Sequence, residues 1–522
     1  CRLLLPLLVA LLAPGLVAAE EAPRAAYPDN MLVETLDNGL QVVVEERTAN
    51  PIVRVTAYMR IGAIYEDEYL GCGLSHYMEH IVSGGSTRRK VVDESGAEVW
   101  VGRTEEENKR LLKTIGNNSN AKTSLNYTQY FITTKSEMAE SAIDLISGYL
   151  QHCQFDPVEV RREQGVVQQE LLRNLDDRER AHLFSSTIFK VHPARVPVIG
   201  YRDCIQGVTR EDMLRFYDKH YTPQNCVVSI VGDVDKHRTL ELVKRYFGTW
   251  KRKPLAPYQI PDEPEQSSMR WVEKEHGSTK TCLVLFGVPT IPLRHPDLYK
   301  LDMLSNVLGL GAASRLPRRF EHDPSRQVVA TQIGTGSLTP AYGAGRFACS
   351  FSVGTVEQAR AMVHEVWAEM GKLKTELVSQ AEIDRALKVL EKYYHMGRAT
   401  VDDRSEELAS NLAWLNDPLY SDGYLAAIRK VTPEEIREAA RTYLVDHKLN
   451  VTILTPPAPA ATRKSATREA GQSDVRKVVL DNGLTLLLKR VPDYGMVDLA
   501  AAFHGGVIYE DDQTSGLFFL MA

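Results

Sequence analysis

The sequence predicts an α+β fold of stacked helix and sheet layers, with a second copy of the same unit beginning near its end. Strand-like and helix-like segments alternate up to about residue 455, which favours α+β layers over an all-helical or barrel fold. Two segments also recur at a single offset. Leu36-Asp37-Asn38-Gly39-Leu40 returns as Leu480-Asp481-Asn482-Gly483-Leu484, and Ile64-Tyr65-Glu66-Asp67 as Ile508-Tyr509-Glu510-Asp511, each 444 residues further on. Finally, 522 residues exceed one ordinary domain.

In chain order, Leu3 to Ala19 is apolar after Arg2 and ends in Val17-Ala18-Ala19 before two glutamates. That is the pattern of a secretory signal peptide over residues 1–19. The stretch is short for a membrane span and holds Pro6, Pro14 and Gly15. Export is therefore expected, with membrane contact only if this segment stays uncleaved. A first unit is expected over 28–255. Within it, Gln41 to Glu45 and Val53 to Tyr58 read as strands, and the Asn-Gly between apolar runs reads as a tight hairpin turn with both central residues at positive φ. Gly73 to Val82 and Glu106 to Ile115 read as helices, Thr123 to Thr134 as a strand, and Pro157 to Leu175 as a long helix. Thr209 followed by Asp212 caps a helix running to Lys219, and Cys226 to Val231 is a short apolar strand. A second α/β block is expected over 265–455. Residues 456–474, rich in Pro, Ala, Ser and Thr, read as a linker. Residues 475–522 then open a second repeat that stops early, so the chain is expected to be a fragment at both ends.

The balance of 43% hydrophobic and 25% charged residues allows large buried cores. A net charge of −6 without a basic block gives no electrostatic case for nucleic acid. The seven cysteines are irregularly spaced and form no CxxC pair, which indicates neither a zinc ribbon nor a disulfide framework.

The chemistry concentrates in His76-Tyr77-Met78-Glu79-His80. On a helix His76 and His80 lie one turn apart on one face, so both imidazoles can reach one ion, with Glu79 beside them. This order, His-x-x-Glu-His, is the inverted zincin pattern. A third ligand must come from elsewhere. The helix from Pro157 offers Glu159, Glu163 and Glu170 at spacings of four and seven, all on one face, and spacing alone does not choose among them.

Together with Glu163-Gln164-Gly165-Val166-Val167-Gln168-Gln169-Glu170, the histidine motif resembles the paired signatures of the M16 metallopeptidases, the family of pitrilysin, insulysin and the mitochondrial processing peptidase. Asn120-Ala121-Lys122-Thr123 followed by Thr128-Gln129-Tyr130 resembles that family's substrate-lining strand. Gly200-Tyr201, Tyr221-Thr222-Pro223-Gln224-Asn225 and Ser314-Arg315-Leu316 match further on. The resemblance implies two-layer subdomains of the M16 type, duplicated, in a zinc-dependent peptidase. It makes His76, His80 and Glu170 the zinc ligands, Glu79 the general base, and Glu163 a carboxylate that orients a ligating histidine. Asn120 and Ala121 would lie on an edge strand that pairs with the backbone of a peptide substrate. A bacterial periplasmic location is implied, as is a second M16 half in the same full-length chain as partner. The competing reading is a non-catalytic M16-like peptide-binding or assembly subunit.

Two departures from the family pattern stand out. His76 and Glu170 are 94 residues apart, more than the family usually shows, and the excess around Arg88 to Thr104 reads as an added β-hairpin. In the second repeat, Phe519 falls opposite His76 and Ala522 opposite Glu79, so that half is expected to be non-catalytic.

Overall fold

The computed structural model describes residues 27–457, apart from 117, 174, 175, 256, 257, 278 and 344, and residues 475–489. The expected signal peptide, most of the linker, and Phe519 and Ala522 lie outside the described residues. Helix and sheet are mixed throughout, as expected, and each of two sheets carries its own core.

The first sheet has six strands: β1 (Met31–Thr35), β2 (Gln41–Glu46), β3 (Ile52–Met59), β6 (Asn118–Thr123), β7 (Thr128–Lys135) and β8 (Cys226–Gly232), with a separate hairpin of β4 (Thr87–Val92) and β5 (Glu98–Arg103). Their order is β1-β2-β8-β3-β7-β6, so β6 forms one edge. Helices α1 (Leu74–Val82), α2 (Glu105–Thr114), α3 (Ala139–His152), α4 (Pro157–Leu172) and α5 (Asp176–Ile188) complete this part of the chain up to residue 188. The β4–β5 hairpin is the insertion read from the sequence. The second sheet contains β9 (Arg270–Glu275), β10 (Cys282–Thr290), β11 (Thr331–Leu338), β12 (Gly345–Val353) and β13 (Asn450–Thr455), ordered β11-β12-β10-β13-β9.

Strands β3 and β8 are buried along nearly their whole length, because the sheet is covered on both faces. On one face Val53, Val55 and Ala57 pack with Leu74 and Ile81 of α1 and Ile143 and Ile146 of α3. On the other, Val43, Tyr58, Val227 and Val231 pack with Leu408 and Leu412 of the helix Val401–Leu415. That helix follows most of the second sheet in sequence. A buried Arg404–Glu45 ion pair of 2.8 Å and a hydrogen bond from Ser405 Oγ to Thr56 Oγ1 fix it there. In return α5 packs on β10 and β13 of the second sheet. Each half thus lends a helix to the other.

Two readings need correction. Thr123 to Thr134 is not one strand: the chain turns between β6 and β7, which pair antiparallel from Asn118↔Thr133 to Thr123↔Thr128. In the Asn-Gly turn only Gly39 has positive φ, at 87°, and Asn38 does not. Gly39 N–H donates to Leu36 O, which puts Asp37 and Asn38 at the centre of an ordinary turn. The left-handed glycine then closes a longer loop, and Asn38 Oδ1 accepts the Leu40 N–H.

Taken by itself, the second compact unit shows the hairpin β14 (Val475–Val479) and β15 (Thr485–Lys489). Val479 pairs with Thr485 as Thr35 pairs with Gln41, Gly483 has φ 85°, and Asn482 Oδ1 accepts the Leu484 N–H. The turn recurs in conformation as well as in sequence. Among the described residues no helix is long and apolar enough to cross a membrane.

Candidate metal centre

Helix α1 begins without a side-chain cap of its own. Its N-cap Gly73 has φ 61°, and a Cβ there would meet Ile199 O at 2.2 Å, so only glycine lets the two segments touch. The capping acceptor comes from upstream: Glu66 Oε1 accepts the Ser75 N–H at 2.7 Å. Burial pushes the Glu66 carboxyl up to about 8, against the pull of the N–H groups at the start of α1. A raised carboxyl stabilises the fold fully below its unfolded value and loses that contribution as pH rises through about 8. The thermal midpoint of the wild type is therefore expected to fall more than that of Glu66→Gln between about pH 6 and 9, by a few degrees. Melts of both proteins at the two pH values check this, and equal slopes would refute it.

Anchored this way, α1 directs His76 and His80 toward α4. His76 Nε2 lies 3.5 Å and His80 Nε2 3.6 Å from the same atom, Glu170 Oε2. The three side chains form the metal-competent group among the described residues, with ligand atoms within 4.8 Å of one another. Around a tetrahedral zinc with bonds of about 2.0–2.1 Å, ligand atoms sit roughly 3.3–3.4 Å apart, close to the distances from each imidazole to Glu170. The donor set, two imidazoles and a carboxylate, also suits zinc.

The three acids of α4 have separate partners. Glu159 is buried, and its carboxylate accepts from Ser86 N at 3.0 Å and from Ser86 Oγ, a tie to the start of β4. Glu163 Oε2 stands 3.3 Å from His80 Nδ1, the ring nitrogen facing away from Glu170. A carboxylate on the far nitrogen fixes the tautomer and orientation of a ligating imidazole. Glu163 is held by Arg162 at 2.8 Å, and Arg162 by Glu105 of α2 at 2.7 Å. Glu170 Oε1 pairs with Arg178 of α5 at 3.0 Å.

Charge follows this geometry. Burial, reinforced by His80, holds His76 down to about 4, so it is neutral and able to ligate near pH 7. His76 Nδ1 is buried and has no hydrogen-bond partner among the described residues. Burial pulls His80 down too, but its hydrogen bonds to Glu163 and Glu170 outweigh that and push it up to about 9. The His80 hydrogen bond, against burial and with help from His76 and Arg178, brings Glu170 down to about 2. Glu79 is left outside the trio. Burial raises its carboxyl, and Thr123 Oγ1 donates a hydrogen bond to Oε2. A cavity of about 410 Å³ brings His76, Glu79, His80, Glu163 and Glu170 together with Asn120 and Ala121 of the edge strand β6. All seven site residues singled out in the sequence thus line one cleft.

The family model described as insulinase, peptidase family M16, matches residues 41–200, and that of the peptidase M16 inactive domain matches 207–390. Together they take in more than half of the chain. The chain belongs to the M16 family. All seven cleft residues fall in the first M16 segment and none in the second. Among M16 relatives, an uncharacterized zinc protease of Rickettsia felis is 25% identical over 424 residues, covering 81% of this chain and 94% of its own. Zinc protease PqqE of Helicobacter pylori is 27% identical over 378 residues, covering 69% and 78%. The crystal structure of a protease from Helicobacter pylori superposes with a TM-score of 0.71 at 25% identity, over 82% of this chain and 99% of that one.

The sequence assigns no role to Arg162, Glu105, Arg178 or Glu66, and places Thr123 only within the segment that resembles the substrate-lining strand. Of the other four, only Glu66 carries a signal, its return within the repeated Ile-Tyr-Glu-Asp segment.

Proposed function

We propose that this M16 protein is a zinc-dependent endopeptidase that hydrolyses peptides or unfolded polypeptides. The observation that carries this reading is the convergence of His76 Nε2, His80 Nε2 and the carboxylate of Glu170, with the carboxyl of Glu79 outside that trio in the same cleft. His76, His80 and Glu170 would hold the metal, and the homologues named zinc proteases support zinc. When bound, zinc lowers the pKa of water and polarises a carbonyl.

The chain's own residues do the remainder. Glu79, with its proton affinity raised by burial, takes a proton at Oε1 or Oε2 and returns it to the leaving amine. Thr123 holds that carboxyl in place. Glu163, braced by Arg162, keeps the His80 ring turned toward Glu170. The open edge of β6 at Asn120 and Ala121 aligns an extended peptide by backbone pairing, with little side-chain selectivity. This favours unfolded substrates, because a folded protein does not offer a free strand. The leader-like residues 1–19 support export, to the periplasm of a bacterium. A second M16 half in the full-length chain would close over the cleft.

The test is cleavage of an unfolded, internally quenched peptide by the full-length protein, with bound zinc quantified. Turnover by the zinc-loaded protein supports the reading. Stoichiometric zinc without cleavage would replace it with a peptide-binding subunit.

A further inference from the structure

Beside the metal cluster a second cavity of about 340 Å³ opens, lined by Thr123 and Leu125. His76 and Glu170 line it as well, so it adjoins the position of the bond to be cleaved. Its floor is apolar, made by Leu125, Val196 and Ile199. Its wall carries Arg346, which arrives from β12 of the second sheet.

Arg346 is unusually placed for an arginine. Its side chain is half-buried, and desolvation pulls the guanidinium below its usual range. Nη1 donates to Ser185 Oγ at 3.2 Å. Among the described residues no carboxylate forms an ion pair with it. By contrast, buried Arg404 meets Glu45 and Glu407, and Arg103 meets Asp144. A desolvated cation without a counter-ion is costly, and the missing partner here faces an open cavity. A guanidinium presents a planar fork of N–H donors that fits a carboxylate, and among the described residues Ser185 Oγ occupies only one of the donors of Arg346. The apolar floor suits the methylene groups of an acidic side chain. The one nearby carboxylate on this wall, Glu170, already has Arg178 and the histidines as partners.

We propose that this cavity is the subsite that selects an acidic side chain next to the scissile bond, with Arg346 as the residue that recognises it. The proposal rests on the peptidase reading for the meaning of the neighbouring cleft, but its test does not require hydrolysis. Full-length, zinc-loaded protein carrying Glu79→Gln is titrated with fluorescent peptides that differ only in Glu or Gln, scanned position by position. With Arg346 intact, one position is expected to favour Glu by about tenfold or more. In Arg346→Met the Glu-to-Gln ratio falls to near one. Arg346→Glu reverses the preference toward a Lys peptide, and Arg346→Lys, the variant that disturbs packing least, keeps an intermediate ratio. Ratios are internal to each protein, so a partly folded variant does not mimic the result. No Glu preference with Arg346 intact, or a preference that survives Arg346→Met, overturns the proposal. A preference seen only between free and amidated C-termini overturns the side-chain assignment in favour of a terminal carboxylate. Failure of the wild type to cleave would remove the peptidase reading and leave these ratios interpretable as they stand.

Discussion

Glu79→Gln is expected to lower kcat on an unfolded peptide by about a thousandfold or more while bound zinc stays at the wild-type level. Glu79 lies in the cleft but outside the cluster of His76, His80 and Glu170, so its carboxylate is not needed to hold the ion. The amide keeps the size of the side chain and can still accept the Thr123 hydroxyl hydrogen bond. What it lacks is the capacity to take and return a proton. Parallel measurement of turnover and metal content decides the matter. Loss of zinc along with activity would place Glu79 among the ligands, and retained activity would put the general base elsewhere.

The two glutamates of the cleft that face the histidines should separate just as clearly. Glu170→Ala removes the atom on which both imidazoles converge, and the protein is expected to lose stoichiometric zinc and, with it, all turnover. Glu163→Ala removes only the brace on His80 Nδ1, and zinc should bind about 10–100-fold more weakly. Competition against a chromophoric chelator measures both. Equal affinities in the two variants would contradict the division of roles drawn from the distances.

Much of this site was legible in the sequence because helical spacing is local. A spacing of four from His76 to His80 fixes a shared face whatever the rest of the fold does. The same rule could not rank Glu159, Glu163 and Glu170, since all three share one face of α4. Which of them meets the histidines depends on how α4 crosses α1, a matter of packing. The structure gives Glu159 to Ser86, Glu163 to His80 Nδ1 and Glu170 to both Nε2 atoms. Family resemblance, rather than periodicity, had singled out Glu170. Arg346 lay beyond either kind of reading, because it reaches the cleft only through the docking of the second sheet. The turn at Asn38 was misjudged for a related reason. The dipeptide signals a turn, but the five residues between β1 and β2 select an ordinary turn closed by Gly39, instead of a two-residue hairpin.

The exchange of helices between the two sheets sets an order of events during synthesis. The first sheet is complete in sequence at Gly232, yet the face formed by Val43, Tyr58, Val227 and Val231 stays bare until Leu408 and Leu412 emerge. That interval is about 170 residues, on the order of ten to thirty seconds of translation. Throughout it the growing chain presents a contiguous apolar surface that its own later helix must cover. Holding that surface apart from other chains until the helix Val401–Leu415 is made is therefore expected to improve the yield of folded protein.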